Sequence, residues 1–553
     1  MADPTPLPGA TGLTHRQILT IVGGLMMAML LAALDQTVVV TAMRTIADDL
    51  NGLSLQAWVT TSYLITSTVT APLYGKFGDL YGRRRLILIA MSIFIAGSVL
   101  CGLAGSVYQL AGARAIQGLG AGGLFTLVLA IVGDLVSPRE QARYQGYFVA
   151  VFAFSSLLGP VVGGFFASQD TLLGVSGWRW VFLVNVPVGL AALTVVAKVL
   201  RIPHAVRRHR IDWLGAAAFT AAIAPLLVVL EQGREWGWGS PRVLALVGVG
   251  LLALVGFVLA ERAMGEDALL PLGFFRNRAF AVGNAVSLVV GVGMFGGLVT
   301  LPLYLQIVKG ASPTESGLML LALTLAMLVS SVVCAQTISR TGRYKVLPVA
   351  GAALMVASLA LLWTIGADTP LWQAGVYMAM FGFGLGGCTQ PLVIAVQNSL
   401  PSRHLGIATG SVTFFRQVGG TIGAAVFLSL LFATVRERIT AAARTPEFLS
   451  AVRDPAVRAD PANQPVVDAV DQGRLGELSL ENSSFIGQLD PRLAKPFQIG
   501  FAESMSGAFL IAFAVVLIGF VLALFLKELP LSAQSGIAAR EEEQADADSE
   551  LAA

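Results

Sequence analysis

Two oppositely charged residues, Asp35 and Arg114, lie inside long apolar stretches of this chain. A charge inside such a stretch is costly to bury and usually serves a function. Both stand within about eight positions of the outer end of their stretch, a depth of roughly 9 to 12 Å at 1.5 Å per residue. We predict an ion pair between two helices, in which Asp35 binds a proton and Arg114 couples its exchange to the movement of a cargo. A pair that only fastens the two helices together is the alternative.

A third charge, Arg416, stands near the middle of a later apolar stretch, with no acid close to it in sequence. A buried arginine without a carboxylate must find carbonyl groups, water or substrate. A structural role and a role in binding cargo therefore both remain open for Arg416.

Other polar or aromatic side chains within the apolar stretches could line a cavity, although such residues more often bond a neighbouring helix. These candidates are Gln36, Tyr63, Phe125, Asn284, Gln306, Gln390, Gln397 and Asn398. They contain no cluster of acids or bases that would demand one highly charged ligand. The set favours a roomy, largely apolar cavity for hydrophobic or amphipathic molecules.

Composition places the chain in a membrane. Only 12% of its 553 residues are charged and 55% are hydrophobic, whereas soluble proteins carry about 25% charged residues. Apolar runs of about 20 residues recur, and each can cross a hydrocarbon core of roughly 30 Å. The three cysteines lie inside such runs. We therefore expect an all-α polytopic membrane protein without a metal site, a cofactor or a nucleic-acid partner, and the absence of a P-loop or a nucleophile–base motif argues against an enzyme.

We predict fourteen transmembrane helices near residues 17–42, 55–75, 86–106, 109–132, 144–167, 178–198, 211–231, 241–261, 279–306, 315–337, 345–366, 371–397, 405–433 and 502–526. Lys and Arg crowd the short loops on one side. The short loops on the other side carry Arg44, Arg179, Arg234, Arg242 and Lys309. Because basic loops remain in the cytoplasm, both termini are expected to be cytoplasmic.

The segment Gly75–Arg85 joins the second and third spans. In the second half of the chain, Gly342–Val346 matches Gly82–Leu86, again between two apolar runs. A repeated loop in a membrane chain indicates a two-bundle transporter. We predict a loop here, in which Asp79 caps the N-terminus of a facing helix and Arg83 reaches Asp134. These contacts, with Gly75 and Gly82, would form a gate. The alternative is that the arginines only set topology.

The fifth span contains Gly159, Pro160, Gly163 and Gly164. Proline removes a backbone donor and bends a helix, while glycines allow a neighbouring helix to come close. Together with the glycines of the fourth span, Gly118, Gly120, Gly122 and Gly123, these residues predict tight but movable packing that takes part in conformational change.

The spans divide the chain into a cytoplasmic N-terminus at 1–16, a six-helix bundle at 17–198, an inserted helix pair with linkers at 199–278, a second six-helix bundle at 279–526 and a cytoplasmic tail at 527–553. Within the second bundle, the polar stretch 434–501 is expected outside the membrane. Its prolines and mixed charges predict short helices and turns rather than a packed domain.

The chain resembles the major facilitator superfamily, and within it the fourteen-span drug:proton antiporters. The resemblance covers nearly all spans and rests on Leu34–Val39, Gly75–Arg85, Arg114 with Gln117, Gly118 and Gly120, Gly159–Gly164, Gly177–Pro187 and Arg416–Gly420. It implies two six-helix bundles plus two inserted helices. It also implies that Asp35 and Arg114 act in proton coupling. The first motif departs from the family pattern at Val40 and Ala42–Arg44, which leaves the choice of substrate open.

The resemblance implies a proton-coupled antiporter that exports hydrophobic or amphipathic drugs across the bacterial inner membrane, with protons and drug-like molecules as partners and a monomer as the working unit. An exporter of one antibiotic, lipid or metabolite is an alternative, as is a nutrient importer, against which the Gly159–Pro160 motif argues. An alternative of another class is a membrane-embedded sensor or partner-binding protein without transport.

Overall fold

The computed structural model describes residues 15–50, 56–200, 212–265, 268–475 and 483–531. The predictions for most of the N-terminal segment, for the basic linker 201–211 and for the tail from 532 onward lie outside these residues. Helices dominate the described part of the chain, as expected for an all-α membrane protein.

The first half comprises seven helices and one small hairpin. They are α1 (His15–Asp49), α2 (Gln56–Tyr81), α3 (Arg83–Leu103), α4 (Val107–Leu135), α5 (Pro138–Ala167), the antiparallel strands β1 (Thr171–Leu172) and β2 (Val175–Ser176), α6 (Trp180–Leu183) and α7 (Asn185–Val199). The sixth predicted span is therefore broken between α6 and α7. Pro187 accounts for the break, because it has no N–H to donate to the carbonyl of Leu183.

The inserted pair is α8 (Trp213–Trp236) and α9 (Pro241–Met264). The helices of the second half are α10 (Arg278–Leu303), α11 (Pro313–Met319), α12 (Leu321–Thr341), α13 (Val346–Trp363), α14 (Leu371–Gln397), α15 (Leu405–Ala442), α16 (Pro446–Arg453), α17 (Pro455–Ala459), α18 (Gln464–Asp471) and α19 (Pro491–Leu524). A π-helical turn, Tyr304–Val308, follows α10.

Twelve helices in the described residues are long and apolar enough to cross a membrane. The two other expected spans, α2 and α5, are 26 and 30 residues long. Both are richer in polar residues: α2 carries several Ser and Thr, and α5 begins with a charged turn. The structure is consistent with fourteen spans, and the exact count stays a prediction.

Each half has a hydrophobic core of its own. Leu25, Phe94 and Leu127 belong to the core of the first half, and Phe381 and Phe427 belong to that of the second. The inserted pair joins a third cluster, in which Phe219 of α8 and Phe257 of α9 pack with Ile65 of α2 and Phe414 of α15. The inserted helices therefore lie across the seam where α2 of the first half meets α15 of the second.

The predicted loop at Gly75–Arg85 is wrong in its local structure. Helix α2 continues to Tyr81, and only Gly82 separates it from α3. Gly82 has φ 88° and the equivalent Gly342 has φ 70°, a conformation that glycine adopts without strain. The repeat therefore reappears as two glycine turns. We call the face of the molecule that carries these turns the basic face.

The polar stretch 434–501 is shorter and better packed than predicted. Helix α15 extends to Ala442 and α19 begins at Pro491, so about forty residues of the stretch belong either to these two long helices or to the short helices α16, α17 and α18 between them. The predicted short helices are present. Phe448, Val466 and Ile486 are buried in the core of the second half, so the segment packs on that core. Burial of these apolar side chains holds the segment against the ends of α15 and α19.

Candidate functional site

Asp35 of α1 and Arg114 of α4 form the predicted ion pair. Arg114 NH1 lies 2.5 Å from Asp35 Oδ2, and the two side chains are 2% and 0% exposed. Asp35 lies in the middle of α1 and Arg114 in the first third of α4. The geometry expected from the sequence is therefore present, while the role of the pair in proton coupling stays a prediction.

Two neutral amide side chains also donate hydrogen bonds to the Asp35 carboxylate. Gln117 Nε2 donates to Asp35 Oδ1 at 2.9 Å, and Asn185 Nδ2 donates to the same oxygen at 2.7 Å. Gln117 also accepts from Arg114 NH1 at 2.7 Å and donates to Ser98 Oγ at 2.7 Å. The carboxylate thus receives three donors from α4 and α7, and Gln117 ties the network to α3.

The guanidinium of Arg114 is held on its other sides by a carbonyl and two rings. Its Nε donates to the backbone oxygen of Val59 at 3.3 Å. Its Cζ lies 4.1 Å from the ring centroid of Tyr63 and 5.9 Å from that of Phe182. Aromatic faces stabilise a cation that has little water around it. Arg114 would therefore keep favourable contacts even if Asp35 were neutral.

Sequence reasoning did not assign Asn185 or Ser98 to this site. Asn185 was visible as a polar residue in an apolar span, two positions before Pro187. That signal was available, because a polar side chain in an apolar span commonly bonds to a neighbouring helix. Ser98 gave no comparable signal, since a serine in a span commonly bonds its own helix; here it also donates to the Phe94 carbonyl at 3.0 Å.

Helix α5 packs against α1 directly after Asp35. Thr37 Oγ1 donates to the carbonyl of Ser155 at 3.0 Å, and a Cβ at Gly163 would lie 2.6 Å from the carbonyl oxygen of Val38. Gly159 makes a similarly close approach to Thr37. Gly164 departs from the expectation, because a Cβ there would meet nothing within 4 Å. The side chain of Pro160 lies outside what the structure describes.

A second charged network closes the basic face. Arg83 NH2 lies 2.8 Å from Asp79 Oδ1, and Arg83 NH1 lies 2.5 Å from Asp134 Oδ2. The Asp79 carboxylate also accepts from the backbone N–H groups of Gly406 and Ile407 at 3.0 and 3.1 Å. Both predicted contacts are therefore present, and Asp79 caps the first turn of α15 in the opposite half of the molecule.

Further contacts between the halves strengthen this closure. Arg139 of α5 donates to the carbonyls of Ser339 and Arg340 at the end of α12, at 2.5 and 2.8 Å. Gln141 of α5 donates to Gln397 Oε1 at 2.9 Å. These residues hold the end of one half against the end of the other. Arg139 and Gln141 were not assigned a role from the sequence, since a basic residue near a span end is explained by topology alone.

Backbones meet where α2 crosses α15. A Cβ at Gly75 would lie 2.9 Å from the carbonyl carbon of Gly406, which leaves no room for a side chain. The predicted gate residues Gly75, Asp79, Gly82, Arg83 and Asp134 thus come together on the basic face, and their part in gating stays a prediction.

The cavity candidates separate into several environments. Tyr63 is buried beneath Arg114, Gln36 is half-buried one residue after Asp35, and buried Phe125 stacks on Phe152 with centroids 5.8 Å apart. Gln306 is exposed in the π-helical turn. Tyr63 and Gln36 lie within hydrogen-bonding reach of each other beside the ion pair, whereas Gln306 lies in a different environment.

The other amides differ in a similar way. Gln397 donates to Thr409 Oγ1 at 2.7 Å within the basic-face closure, and Asn398 donates to the carbonyl of Pro530 at 3.0 Å. Buried Asn284 donates to the Phe280 carbonyl at 2.9 Å. Asn284 Oδ1 and Gln390 Oε1 are buried without a hydrogen-bond partner among the described residues. The last two oxygens are thus available to a ligand or to water.

Arg416 is half-buried in the first third of α15. A Cβ at Gly291 of α10 would lie 3.1 Å from the Arg416 Cα, so the two backbones are in contact. Within the described residues, Arg416 makes no ion pair or hydrogen bond. Its half-buried neighbours Phe415, Gln417 and Val418 follow a fully buried run on α15. An unpaired cation that is still partly accessible suits contact with water or cargo.

Comparison with known proteins agrees with this architecture. The Major Facilitator Superfamily pattern matches residues 25–424. The multidrug transporter protein MdtP of Bacillus subtilis is 31% identical over 95% of this chain and 96% of its own length. An uncharacterized MFS-type transporter of Mycobacterium tuberculosis is 37% identical over 92% of this chain and 69% of its own length. A tetracycline resistance determinant of Streptomyces rimosus is 39% identical over 58% of this chain and 92% of its own length.

Two solved structures share the fold. The proton:xylose symporter XylE has a TM-score of 0.56 and 18% identity, and the match covers 96% of this chain and 99% of XylE. The human organic anion transporter MFSD10 has a TM-score of 0.53 and 16% identity, covering 90% and 99%. This chain belongs to the Major Facilitator Superfamily and is a multi-pass membrane transporter whose relatives include proteins named for drug efflux and antibiotic resistance.

Proposed function

We propose that this protein is a proton-coupled antiporter that exports hydrophobic or amphipathic drug-like compounds across a bacterial inner membrane, with the basic face and both termini in the cytoplasm. The names of its relatives support drug efflux, and the basic loops support the orientation. The observation that carries proton coupling is the ion pair of Asp35 and Arg114, enclosed within the first half of the molecule.

A proton on Asp35 would change the network around it. The ionised carboxylate only accepts hydrogen bonds, and here it accepts three, from Arg114, Gln117 and Asn185. A protonated carboxyl holds a donor of its own and loses part of this acceptor capacity. The donors to the protonated oxygen would then be held more weakly. Binding of a proton would thus loosen α1 from α4 and α7.

The movement of α1 provides a route to the cargo. Helix α5 is joined to α1 through the hydrogen bond from Thr37 to Ser155 and the contact of Gly163 with Val38. The same helix α5 carries Arg139 and Gln141, which hold the basic face closed. A change at Asp35 would therefore reach the closure through one continuous helix. With the basic face closed, the proton and the released cargo would exchange at the opposite face.

Cargo would bind between the halves, near the level of Arg416. Gln390 and Asn284 offer buried oxygens without partners in the described residues, and the remaining surroundings are mostly apolar. An apolar cavity with only a few polar groups suits ligands that are held mainly by burial of apolar surface. Each charge moved across 100 mV supplies about 2.3 kcal/mol, so one or two protons would drive a useful gradient.

Transport by purified protein in liposomes tests the proposal. An inwardly directed proton gradient should drive counter-movement of dyes and antibiotics from a panel, and an uncoupler should abolish it. A protein that exports one compound of the panel would support a narrow exporter. A transport rate that does not depend on the pH gradient would contradict proton coupling. No movement of any compound, together with specific ligand binding, would favour the sensor alternative.

A further inference from the structure

Three buried charges lie where the inserted helices meet the first half of the molecule, and none of them belongs to the coupling site. Glu261 near the end of α9 is 1% exposed, while Asp212 before α8 and Lys76 of α2 are each 6% exposed. Asp212 and Lys76 both lie close enough to Glu261 to act on its carboxylate electrostatically. Ions buried this deeply cost several kcal/mol each unless opposite charges compensate them.

Glu261 fixes the chain that follows the inserted pair. Its Oε2 accepts from the backbone N–H of Leu270 at 2.9 Å. Leu270 in turn packs in one cluster with Ile407 and Ala408, in the first turn of α15. Ile407 is also a residue whose N–H is capped by Asp79. Glu261 therefore holds a segment that covers the closed basic face.

Asp212 fixes the other end of the inserted pair. Its Oδ1 accepts from the Gly215 N–H at 2.6 Å and caps α8. The next residue, Trp213, has its ring centroid 6.0 Å from that of Phe77, which adjoins Lys76. The start of α8 thus lies against the last turns of α2. The same turns carry the gate contacts at Gly75 and Asp79.

One oxygen of each carboxylate takes part in no hydrogen bond among the described residues. Glu261 Oε1 and Asp212 Oδ2 are buried and have no hydrogen-bond partner in the part of the chain that the structure describes. Hydrogen bonds to backbone N–H groups therefore satisfy only half of each carboxylate. Lys76 of α2 supplies a cation that acts on the Glu261 carboxylate and offsets part of its charge.

We propose that Lys76, Glu261 and Asp212 form a buried charge cluster through which the inserted helix pair stabilises the closed basic face. The three are positioning residues: they hold the α8–α9 pair and the Leu270 segment against α2 and α15 while the face is closed. Opening of the face separates α2 from α15 and removes the packing that keeps the cluster dry. The inserted helices therefore favour the closed state, independently of which cargo is moved and of how protons are coupled.

A labelling experiment without cargo or proton gradient tests this role. Ala408 is fully buried in the closure, so Ala408→Cys in lipid nanodiscs should react with a water-soluble maleimide only when the basic face opens. Cys101, Cys334 and Cys388 are buried, and the protein without the added cysteine gives their background. We expect Lys76→Met and Glu261→Gln each to raise the labelling rate at least about twofold, the lower end of the coupling measured between residues of one charged network.

The double variant is the decisive arm. Lys76→Met with Glu261→Gln removes both charges together, so its labelling rate should fall back toward that of the parent. Glu231→Gln, which removes a half-buried acid from the other end of α8, should leave the rate unchanged. Labelling rates that stay unchanged in both single variants would overturn the proposal. So would a double variant whose fold-increase in labelling rate equals the product of the two single fold-increases. If Lys76→Met does not fold, folding of the double variant supports the cluster. If Glu261→Gln folds but the double variant does not, the proposal is refuted.

Discussion

Asp79 Oδ1 accepts a hydrogen bond from the backbone N–H of Gly406 at 3.0 Å, although the two residues are 327 positions apart. The contact joins the last turns of α2 to the first turn of α15. It places a negative charge at the positive end of a helix dipole in the other half of the protein. Arg83 holds the same carboxylate from the other side at 2.8 Å. One side chain thus links the repeated turn to the closure between the halves.

Asp79→Ala should open the basic face. The substitution leaves the N–H groups of Gly406 and Ile407 and the NH2 group of Arg83 without their acceptor, which costs about 1 to 3 kcal/mol for buried groups. The Ala408→Cys labelling rate should rise accordingly. Asp454→Ala is a matched control, because Asp454 caps α17 through the Ala456 N–H at 3.0 Å within one half. It should lower stability by about 1 kcal/mol without raising the labelling rate. Equal labelling in the two variants would contradict the assignment.

Neighbouring glycines of α5 should respond in opposite ways to the same change. Gly163→Ala places a Cβ 2.6 Å from the Val38 carbonyl oxygen, so α5 must move away from α1 at a cost of about 1 to 3 kcal/mol. Gly164→Ala meets nothing within 4 Å and should stabilise the helix by up to about 1 kcal/mol. Thermal unfolding in detergent measures both. Similar melting temperatures for the two variants would show that the contact with Val38 does not constrain α5.

The sequence predicted this fold well because its dominant signals are physical and local. Apolar run length places the spans within a few residues, since each must match one bilayer thickness. The Asp35–Arg114 pair and the Asp79 cap could be predicted because a buried charge has few solutions, and depth along each helix limits the possible partners.

Contacts that depend on tertiary packing could not be predicted in this way. Asn185 reaches Asp35 from 150 positions away along the chain, through the packing of α7 against α1. Glu261 stands near the end of a span, where an acid normally faces water, and its burial depends on the segment at Leu270 that folds back over it. The charges and prolines of the stretch after α15 predict its short helices, but they do not show that Phe448 and Val466 are buried in the core of the second half.

The turn at Gly342 should weaken at alkaline pH. Tyr344 is buried beside it, and its hydroxyl accepts from the Leu529 N–H at 2.9 Å. Burial raises the pKa of Tyr344 above its ordinary value, so the folded state retains the phenolic proton more firmly than the unfolded chain does. This contribution to stability is complete below the ordinary pKa of about 10 and is lost as the pH rises through the higher folded value.

Tyr344→Phe should remove that alkaline transition. The variant loses the hydrogen bond to Leu529, which costs about 1 kcal/mol, and the segment after α19 should become easier to cleave with protease. Glu528, which accepts from the Tyr344 N–H at 3.1 Å, still holds the segment in the variant. Melting temperature measured from pH 8 to 11 checks the sign. An alkaline decline as steep in the variant as in the parent would assign it to another group.

Asp35→Asn should abolish proton-driven export while the protein still folds. Asparagine fills the same volume, but it cannot exchange a proton and leaves Arg114 without its anion. Substrate-driven pH change inside proteoliposomes should fall to the level of empty liposomes. Arg114→Lys should also lower the transport rate by about tenfold or more, because a lysine cannot donate to Asp35, Gln117 and the Val59 carbonyl together.

Asp49 supplies the matched control for Asp35. It stands on the same helix, and its Oδ2 accepts from Trp178 Nε1 at 2.6 Å. An amide oxygen can replace a carboxylate as acceptor for an indole N–H, so Asp49→Asn should keep both the fold and the coupling. Loss of coupling in both variants would attribute the effect to α1 as a whole. Retained coupling in Asp35→Asn, measured with the same cargo and gradient, would remove Asp35 from the proton path and leave the pair with Arg114 a purely structural one.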